Sequence, residues 1–335
     1  MLKNNMATII DVAALAEVST ATVSRVVNNS GYVDPVLVDR VNTAIKKLKY
    51  QPNLVARAFR TQATSVIALV IPDIENQFFT SICRGLEDAA NEAGYSVMIC
   101  NTDEDIEKEN EYLAMLASQN VAGIVISPVS SKYTDVQVVL DRNIQIVSVG
   151  RTLPIKADSV HVDNRKGGHL ATSHLIESGY KKIACITGER GTSSAEERLL
   201  GYKDALSEAA IEIDNRFQIY TDFKDRGGYD GVKKLLSLTN PPDAIFTTNN
   251  RMTAGAFQGL KELKVQVPEK VGLIGFDEIP WGDIVAPSIS TVSQPTRQMG
   301  MAAAKKLLSR LNSENVAVEE ILFQPELVIR ESSRR

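Results

Sequence analysis

Over the first fifty residues the apolar side chains recur at helical spacing, one buried face per segment. Ile10, Val12, Ala13 and Ala16 make a first stripe, and Thr20 to Val27 a second short helix. Leu37, Val41, Ala44 and Leu48, with Val38 and Ile45 beside them, make a third. Each start carries a residue that satisfies the free N–H groups of a first turn: Thr8 with Asp11 in the manner of a capping box, Ser19, and Asp34 followed by Pro35. From Val66 onward short continuous apolar runs take over: VIALVI (66–71), YSVMIC (95–100), VAGIVI (121–126), IQIVSV (144–149), KIACIT (182–187), a weaker FQIY (217–220), DAIFTT (243–248) and KVGLIG (270–275). Amphipathic stretches lie between or after them at about 78–93, 108–118, 133–142, 165–178, 195–209, 228–238, 252–264 and 295–312. Strand–helix alternation of this kind predicts parallel sheets covered on both faces, in two sets of about four strands with a seam near Ser159 to Asp163.

The tight Glu17-Val18 connection sets the first two helices at a steep angle, as a helix-turn-helix requires. In such a unit the start of the second helix projects into the DNA major groove. Thr20, Ala21 and Thr22 would then face base edges, while Ser24 and Arg25 reach phosphate or guanine. The segments IIDVAALAEVSTATVSRVVNN and AIKKLKYQPNLVARAFR resemble the DNA-binding headpiece and hinge of the lactose-repressor-type (LacI/GalR) bacterial transcription regulators. The resemblance implies base reading by Thr20, Ala21 and Arg25, with Thr8, Ser19 and Asn28 in the same DNA-facing set. It places Tyr50 and Asn53 at the start of a hinge helix that carries Ala56, Arg57, Phe59 and Arg60. Phe59 stands where the family usually has a leucine that wedges into the minor groove, and Glu17 where it commonly has a turn glycine. The hinge, Asn53 to Arg60, is too short for a stable isolated helix and is expected to order on DNA.

The resemblance also implies the fold of the remainder, two Rossmann-like lobes like the sugar-binding proteins of bacterial transport, joined by three chain crossings. The expected organisation is an all-α helix-turn-helix headpiece (1–50), a hinge helix and linker (51–64), and an α/β core (65–330) for effector binding and dimerisation. Charge fits this division. Residues 1 to 61 carry eight basic side chains against four acidic ones, on a chain whose net charge is −4, so only the small part suits a polyanion. The N-terminus lacks the apolar run of a signal peptide and no segment approaches a membrane span, so a soluble cytoplasmic protein is expected. No apolar heptads follow the last strand-like stretch, EILFQPELVIR, which predicts a homodimer rather than a four-chain assembly.

In open parallel sheets, ligands bind beyond the carboxyl ends of the strands. The residues found there are Asp73, Asn76, Phe78 and Phe79; Asn101 and Asp103; Ser127; Arg151; Asp163; Arg190 and Arg198; Asn249; and Asp277 with Trp281. Of the adjacent phenylalanines, Phe79 is assigned to the cleft and Phe78 to packing. Arginines, carboxylates, amides and rings together suit a sugar, whose hydroxyls take bidentate hydrogen bonds and whose apolar face packs on an aromatic ring. By the resemblance, Arg198 in R-x-x-G-Y, Asn249 in N-x-x-M-x-x-G, Asp277 in G-F-D and Arg151 after the fourth strand are effector contacts. Gly150 and Asn250 stand where the family more often has Asp, a change that would also suit a phosphorylated or acidic ligand.

Enzymatic readings fail on the motifs, and no cofactor or metal is expected. The PDIENQFF stretch after the first strand lacks the glycine triplet of a dinucleotide site, and no phosphate-binding loop occurs. His169 and His174 miss the spacing for a shared zinc, and no nucleophile comes with a base and an orienter. The expected function is therefore a DNA-binding repressor acting on a near-palindromic operator and controlled by a small sugar-like effector. The alternatives are a catabolite-type global regulator governed by a partner phosphoprotein and a sugar-binding transport protein.

Overall fold

The computed structural model describes residues 7–27, 32–48, 50, 64–312 and 317–335. Its contacts divide the chain into two compact units, Met1–Ala63 and Thr64–Arg335. In the first, α1 (Ile9–Ala16), α2 (Thr20–Val27) and α3 (Pro35–Leu48) enclose Val12, Ala13, Ala16, Val23, Val41 and Ala44. Ile10, expected in the buried stripe, is instead 67% exposed, because the α1 face that meets the other helices is set by Val12, Ala13 and Ala16. The starts are capped as the sequence indicates. The Asp11 N–H donates to Thr8 Oγ1 while the Thr8 N–H donates to Asp11 Oδ2, and Ser19 and Asp34 accept from the Thr22 and Val36 N–H groups. Glu17 closes α1 in the left-handed region at φ 52°, and its carboxylate pairs with Arg40 at 2.8 Å. The turn thus needs a positive φ, which glycine would supply with less strain.

The second unit holds two six-stranded sheets. The first comprises β1 (Val66–Ile71), β2 (Ser96–Asn101), β3 (Gly123–Ile126), β4 (Gln145–Val149), β5 (Asp158–Val162) and β11 (Glu320–Phe323), in the order β11-β5-β4-β3-β1-β2. The second comprises β6 (Ile183–Thr187), β7 (Gln218–Tyr220), β8 (Ala244–Thr247), β9 (Gly272–Phe276), β10 (Ser290–Ser293) and β12 (Glu326–Val328), in the order β12-β10-β9-β8-β6-β7. Every pairing is parallel except β10 with β12. The continuous apolar runs reflect burial on both faces. In β1, Ile67, Leu69 and Ile71 pack under the helices Gln77–Glu92 and Thr296–Asn312, while Ala68 and Val70 face Leu113 and Leu116 of Ile106–Ser118. The second sheet lies between the helix pairs Asn164–Glu177 with Ser193–Glu208 and Asp225–Leu236 with Asn250–Glu262.

Each sheet has two strands more than the expected four. β5 (DSVHV) and β10 (STVS) carry polar residues, and β11 and β12 are short strands with exposed positions, so none reads as a continuous apolar run. The helix expected at 133–142 shortens to Gln137–Leu140, because Ser130 Oγ draws the Lys132 and Tyr133 N–H groups into a turn. The chain passes between lobes after β5, β10 and β11. The first and third passages are tied together, since the Asp163 N–H donates to Phe323 O at 2.9 Å and Lys166 Nζ to Gln324 Oε1 at 2.7 Å. Helix Thr296–Asn312 thereby returns to the first lobe, where Arg310 bonds Asp158 at 3.0 Å and Lys306 bonds Glu319 at 2.6 Å.

Candidate functional site

Between the lobes, the carboxyl ends of β1, β2, β3 and β4 face those of β6, β7, β8 and β9 across a narrow, partly open cavity. Eight expected residues line it: Asp73, Asn76, Phe79, Ser127, Arg151, Arg198, Asn249 and Asp277. Phe78 lines it too, its ring edge-on to Phe79 at 4.9 Å, so the assignment of Phe78 to packing alone is corrected.

Two buried arginines, each with its own carboxylate, dominate the electrostatics. Arg151 donates through both Nη atoms to Glu104, at 2.7 and 2.8 Å, and to Pro128 O, and its guanidinium lies 4.8 Å from the Phe223 ring centre. Arg198 donates to Asn164 Oδ1 at 2.8 Å and Thr248 O at 2.6 Å, covers the Phe276 ring at 3.6 Å, and stands 3.8 Å from Asp277. Burial lowers the Arg198 pKa to about 10, which leaves it charged at neutral pH. Burial raises that of Asp277, against the pull of Arg198 and of the Gln294 amide, which donates to its Oδ1. Asp277 takes the left-handed conformation, φ 71°, as the chain turns off β9.

Packing explains why Arg198 sits where it does. Its helix crosses Asn164–Glu177 through reciprocal glycines: a Cβ on Gly168 would collide with the Arg198 carbonyl, and one on Gly201 with that of Arg165. Tyr202 then anchors the helix by donating to Ile183 O at 2.8 Å. The R-x-x-G-Y motif is therefore one cleft-lining residue and two packing residues.

Amides and ion pairs hold the lobes together at the cleft. Asn249 caps its helix by accepting the Met252 N–H and donates to Phe223 O. Asn250 Nδ2 donates across the gap to Asn76 Oδ1 at 2.9 Å, a bond that an Asp at position 250 could not donate. Arg251 reaches Asp73 at 3.2 Å and Lys224 reaches Asp103 at 3.1 Å. Gly150, at φ 72°, presents its bare Cα to the Phe78 ring, where a Cβ would lie at 3.1 Å.

Five candidates stand outside: Asn101, Asp103, Asp163, Arg190 and Trp281. Asp163 caps helix Asn164–Glu177 through the Lys166 N–H at the first lobe crossing. Trp281 stacks on Phe257, 6.3 Å away at 28°, on a separate surface depression. Asn101 accepts the Ile74 N–H and Arg190 covers Tyr220, so neither enters the cavity. Glu104, Gly150, Ser194, Phe223 and Lys224 line it without having been singled out as contacts. Phe223 and Lys224 follow β7 by three and four residues, so the strand-end rule extended to the weak FQIY run would have found them, whereas Glu104 follows β2 beside the candidate Asp103 and was passed over.

In the headpiece, Thr20, Ala21 and Arg25 are exposed on one side of α2 while Val23 anchors the other. The Ser19 and Thr22 hydroxyls bond each other at 2.9 Å, the Thr8 hydroxyl bonds Asp11, and Ser24 is half-buried. Tyr50 packs against the headpiece core and donates its N–H to Ile45 O. Asn28, Asn53, Ala56, Arg57, Phe59 and Arg60 lie outside the described residues.

Residues 8–53 match the profile of bacterial regulatory proteins of the lacI family, and residues 172–333 that of a periplasmic binding protein-like domain. The chain is 36% identical to the ribose operon repressor of Halalkalibacterium halodurans over 98% of both chains. Among solved structures it resembles the transcriptional regulator CelR in its cellobiose complex (31% identity, TM-score 0.75, 97% of this chain and 99% of the other). It shares the fold of the operator-bound lac repressor dimer (23% identity, TM-score 0.87, 98% and 99%).

Proposed function

Since this chain belongs to the LacI family of bacterial transcriptional regulators, a group of DNA-binding repressors, we propose that it represses as a homodimer on a near-palindromic operator and is controlled by a neutral, sugar-like effector held between the lobes. The balance of charge in the cleft carries the second half of this reading. Its charged lining is three cations, Arg151, Arg198 and Lys224, against three carboxylates, Asp73, Glu104 and Asp277. A phosphate or carboxylate ligand would have to separate one of these cations from its partner, whereas hydroxyls can bond to both members of a pair. Ser127 Oγ is buried at the cavity wall with no hydrogen-bond partner, a demand that a ligand hydroxyl would meet. Phe78, Phe79 and Phe223 provide rings for the apolar face of a sugar. Relatives named for ribose and cellobiose support the same class.

In this reading Thr20, Ala21 and Arg25 read the major groove and Phe59 wedges into the minor groove. A ligand that bridges Arg151 and Arg198 biases the spacing of the lobes, and the hinge and linker expected at 51–64 pass that bias to the headpieces of the dimer. Release of DNA is the expected response. The test combines thermal shift with D-ribose, cellobiose and their phosphates, and fluorescence anisotropy with operator DNA at several salt concentrations. A neutral sugar should raise the melting temperature and weaken operator binding, and affinity should fall steeply with salt. A shift with sugar phosphates but no neutral sugar, or binding indifferent to DNA sequence, would sink the proposal.

A further inference from the structure

The segment Arg330–Ser333 lies past the last strand, with only Arg330 inside the strand-like stretch singled out above, yet it is bonded into the second lobe more densely than a tail requires. Arg330 Nη2 donates to Glu278 Oε2 at 3.0 Å, and Nη1 donates to Ile289 O at 2.7 Å and Thr291 Oγ1 at 3.2 Å. Thr291 Oγ1 in turn donates to the other Glu278 oxygen at 2.7 Å. Glu331 accepts from the Ser288 N–H at 2.8 Å, and the Ser332 N–H donates to Ser288 O. Ser332 Oγ donates to Leu273 O and accepts the Ser290 N–H; Ser333 Oγ bonds Ser290 Oγ and His174 Nε2, each at 2.7 Å. Ser332 and Ser333 are fully buried.

These bonds are distributed in a particular way. The connection between β9 and β10 runs from Asp277 to Ile289, and the segment grips both its ends: Glu278 at the start, Ser288 to Thr291 at the finish. Asp277 is the residue next to the first grip. It has a left-handed backbone, one backbone bond to Val292 O at 2.8 Å, and a carboxyl that must face Arg198 and Gln294 together.

We propose that Arg330–Ser333 is a buckle that closes the 277–289 connection and positions the Asp277 carboxyl in the cleft, with Arg330 as its principal positioning residue. This rests on the reading of the cleft as the effector site, and it adds a residue that touches no ligand to the set that determines affinity. The loop is a closed ring of backbone and hydrogen bonds. Opening the Glu278–Arg330 link loosens the Asp277 side of that ring, leaving it held by the Glu278–Thr291 bond and the Asp277 N–H to Val292 O, while β12 remains paired with β10.

The chain carries its own reporter, since Trp281 is the only tryptophan and sits inside the loop, stacked on Phe257. Arg330→Met keeps the aliphatic stem and removes the fork. It should raise acrylamide quenching of Trp281 at least twofold in ligand-free protein, and Arg330→Lys should restore most of the protection. Glu331→Ala, a milder change at an exposed residue, should act in the same direction and covers the case in which Arg330→Met does not fold. A double-mutant cycle in melting temperature tests the link to Asp277: Arg330→Met and Asp277→Asn should be non-additive, as for residues that share a network. Unchanged quenching in both buckle variants, or strict additivity, would overturn the proposal. If the buckle variants behave as stated while Asp277→Asn keeps wild-type affinity for D-ribose and cellobiose, the effector reading of Asp277 fails and the buckle stands.

Discussion

Replacing Asp277 with Asn should make the ligand-free core more stable at pH 7 while weakening effector binding. The substitution is chosen for its backbone: at φ 71° Asn is tolerated where Ala is strained, and Asn keeps the shape and the acceptor for Gln294. At 3.8 Å, with an effective dielectric of about 20, the Arg198 charge attracts the carboxylate by about 4 kcal/mol. Burial nevertheless prevails and the pKa of Asp277 is raised, so desolvation costs the ionised form more than that attraction returns. A folded pKa above the unfolded one means that this side chain's stabilising contribution is complete below the ordinary carboxylate value. It is lost as pH rises through the folded value. The Asn variant has no such loss, so its advantage over the wild type should be present at pH 7 and vanish in acid. Binding should respond oppositely. A hydrogen bond to a charged acceptor contributes about 1.5–3 kcal/mol, so affinity for D-ribose or cellobiose should fall roughly ten- to hundred-and-fifty-fold. Operator affinity without ligand should stay within a few fold. Differential scanning fluorimetry across pH, isothermal titration and operator anisotropy read the three quantities. A variant that melts below the wild type at pH 7, or whose advantage persists in acid, would refute the desolvation argument.

Gly168→Ala inverts an ordinary expectation. Alanine favours a helix interior by about 1 kcal/mol over glycine, but here the added methyl meets the Arg198 backbone, which cannot rotate away. The variant should lose about 1–3 kcal/mol of stability, along with effector response, and a raised melting temperature would refute the crossing argument. His174 is buried, bonded to Ser333, and its pKa is held below 6.5 by burial, so its stabilising contribution is full above that value and lost as pH falls below it. The gap in melting temperature between the wild type and His174→Gln should therefore narrow between pH 8 and pH 5, which scanning calorimetry would detect.

Where side chains act through periodic burial or local caps, the sequence reveals them, and the headpiece helices and first-lobe strands are of that kind. Arg198, Asn249 and Asp277 were legible because their motifs bundle a cleft residue with packing residues. Glu104 was not, because it enters the cleft from a turn with no motif at a positive φ of 62°, and Lys224 was missed because the strand-end rule was not carried to the weak FQIY run. Trp281 and Asp163 obey the strand-end rule in sequence yet miss the cleft. One was drawn to an aromatic partner and the other was used as a helix cap. The strand character of β11 and β12 was legible in EILFQPELVIR, but their partners lie more than 30 residues away, so no local pattern encodes the pairing or its division between two sheets.

The return of helix Thr296–Asn312 to the first lobe has a consequence for synthesis on the ribosome. That lobe begins at Val66, but its core waits for Met299, Ala303, Ala304 and Leu307, and its sheet for β11. At about 5–20 residues per second, the nascent chain must hold β1 to β4 without their covering helix for some ten seconds or more, while the whole second lobe is made. The second lobe waits as long, since its sheet needs β12, which follows β11. The three headpiece helices need nothing so distant. The headpiece can therefore fold many seconds before the core that follows it, and nascent chains carry a folded headpiece before they carry a finished control domain.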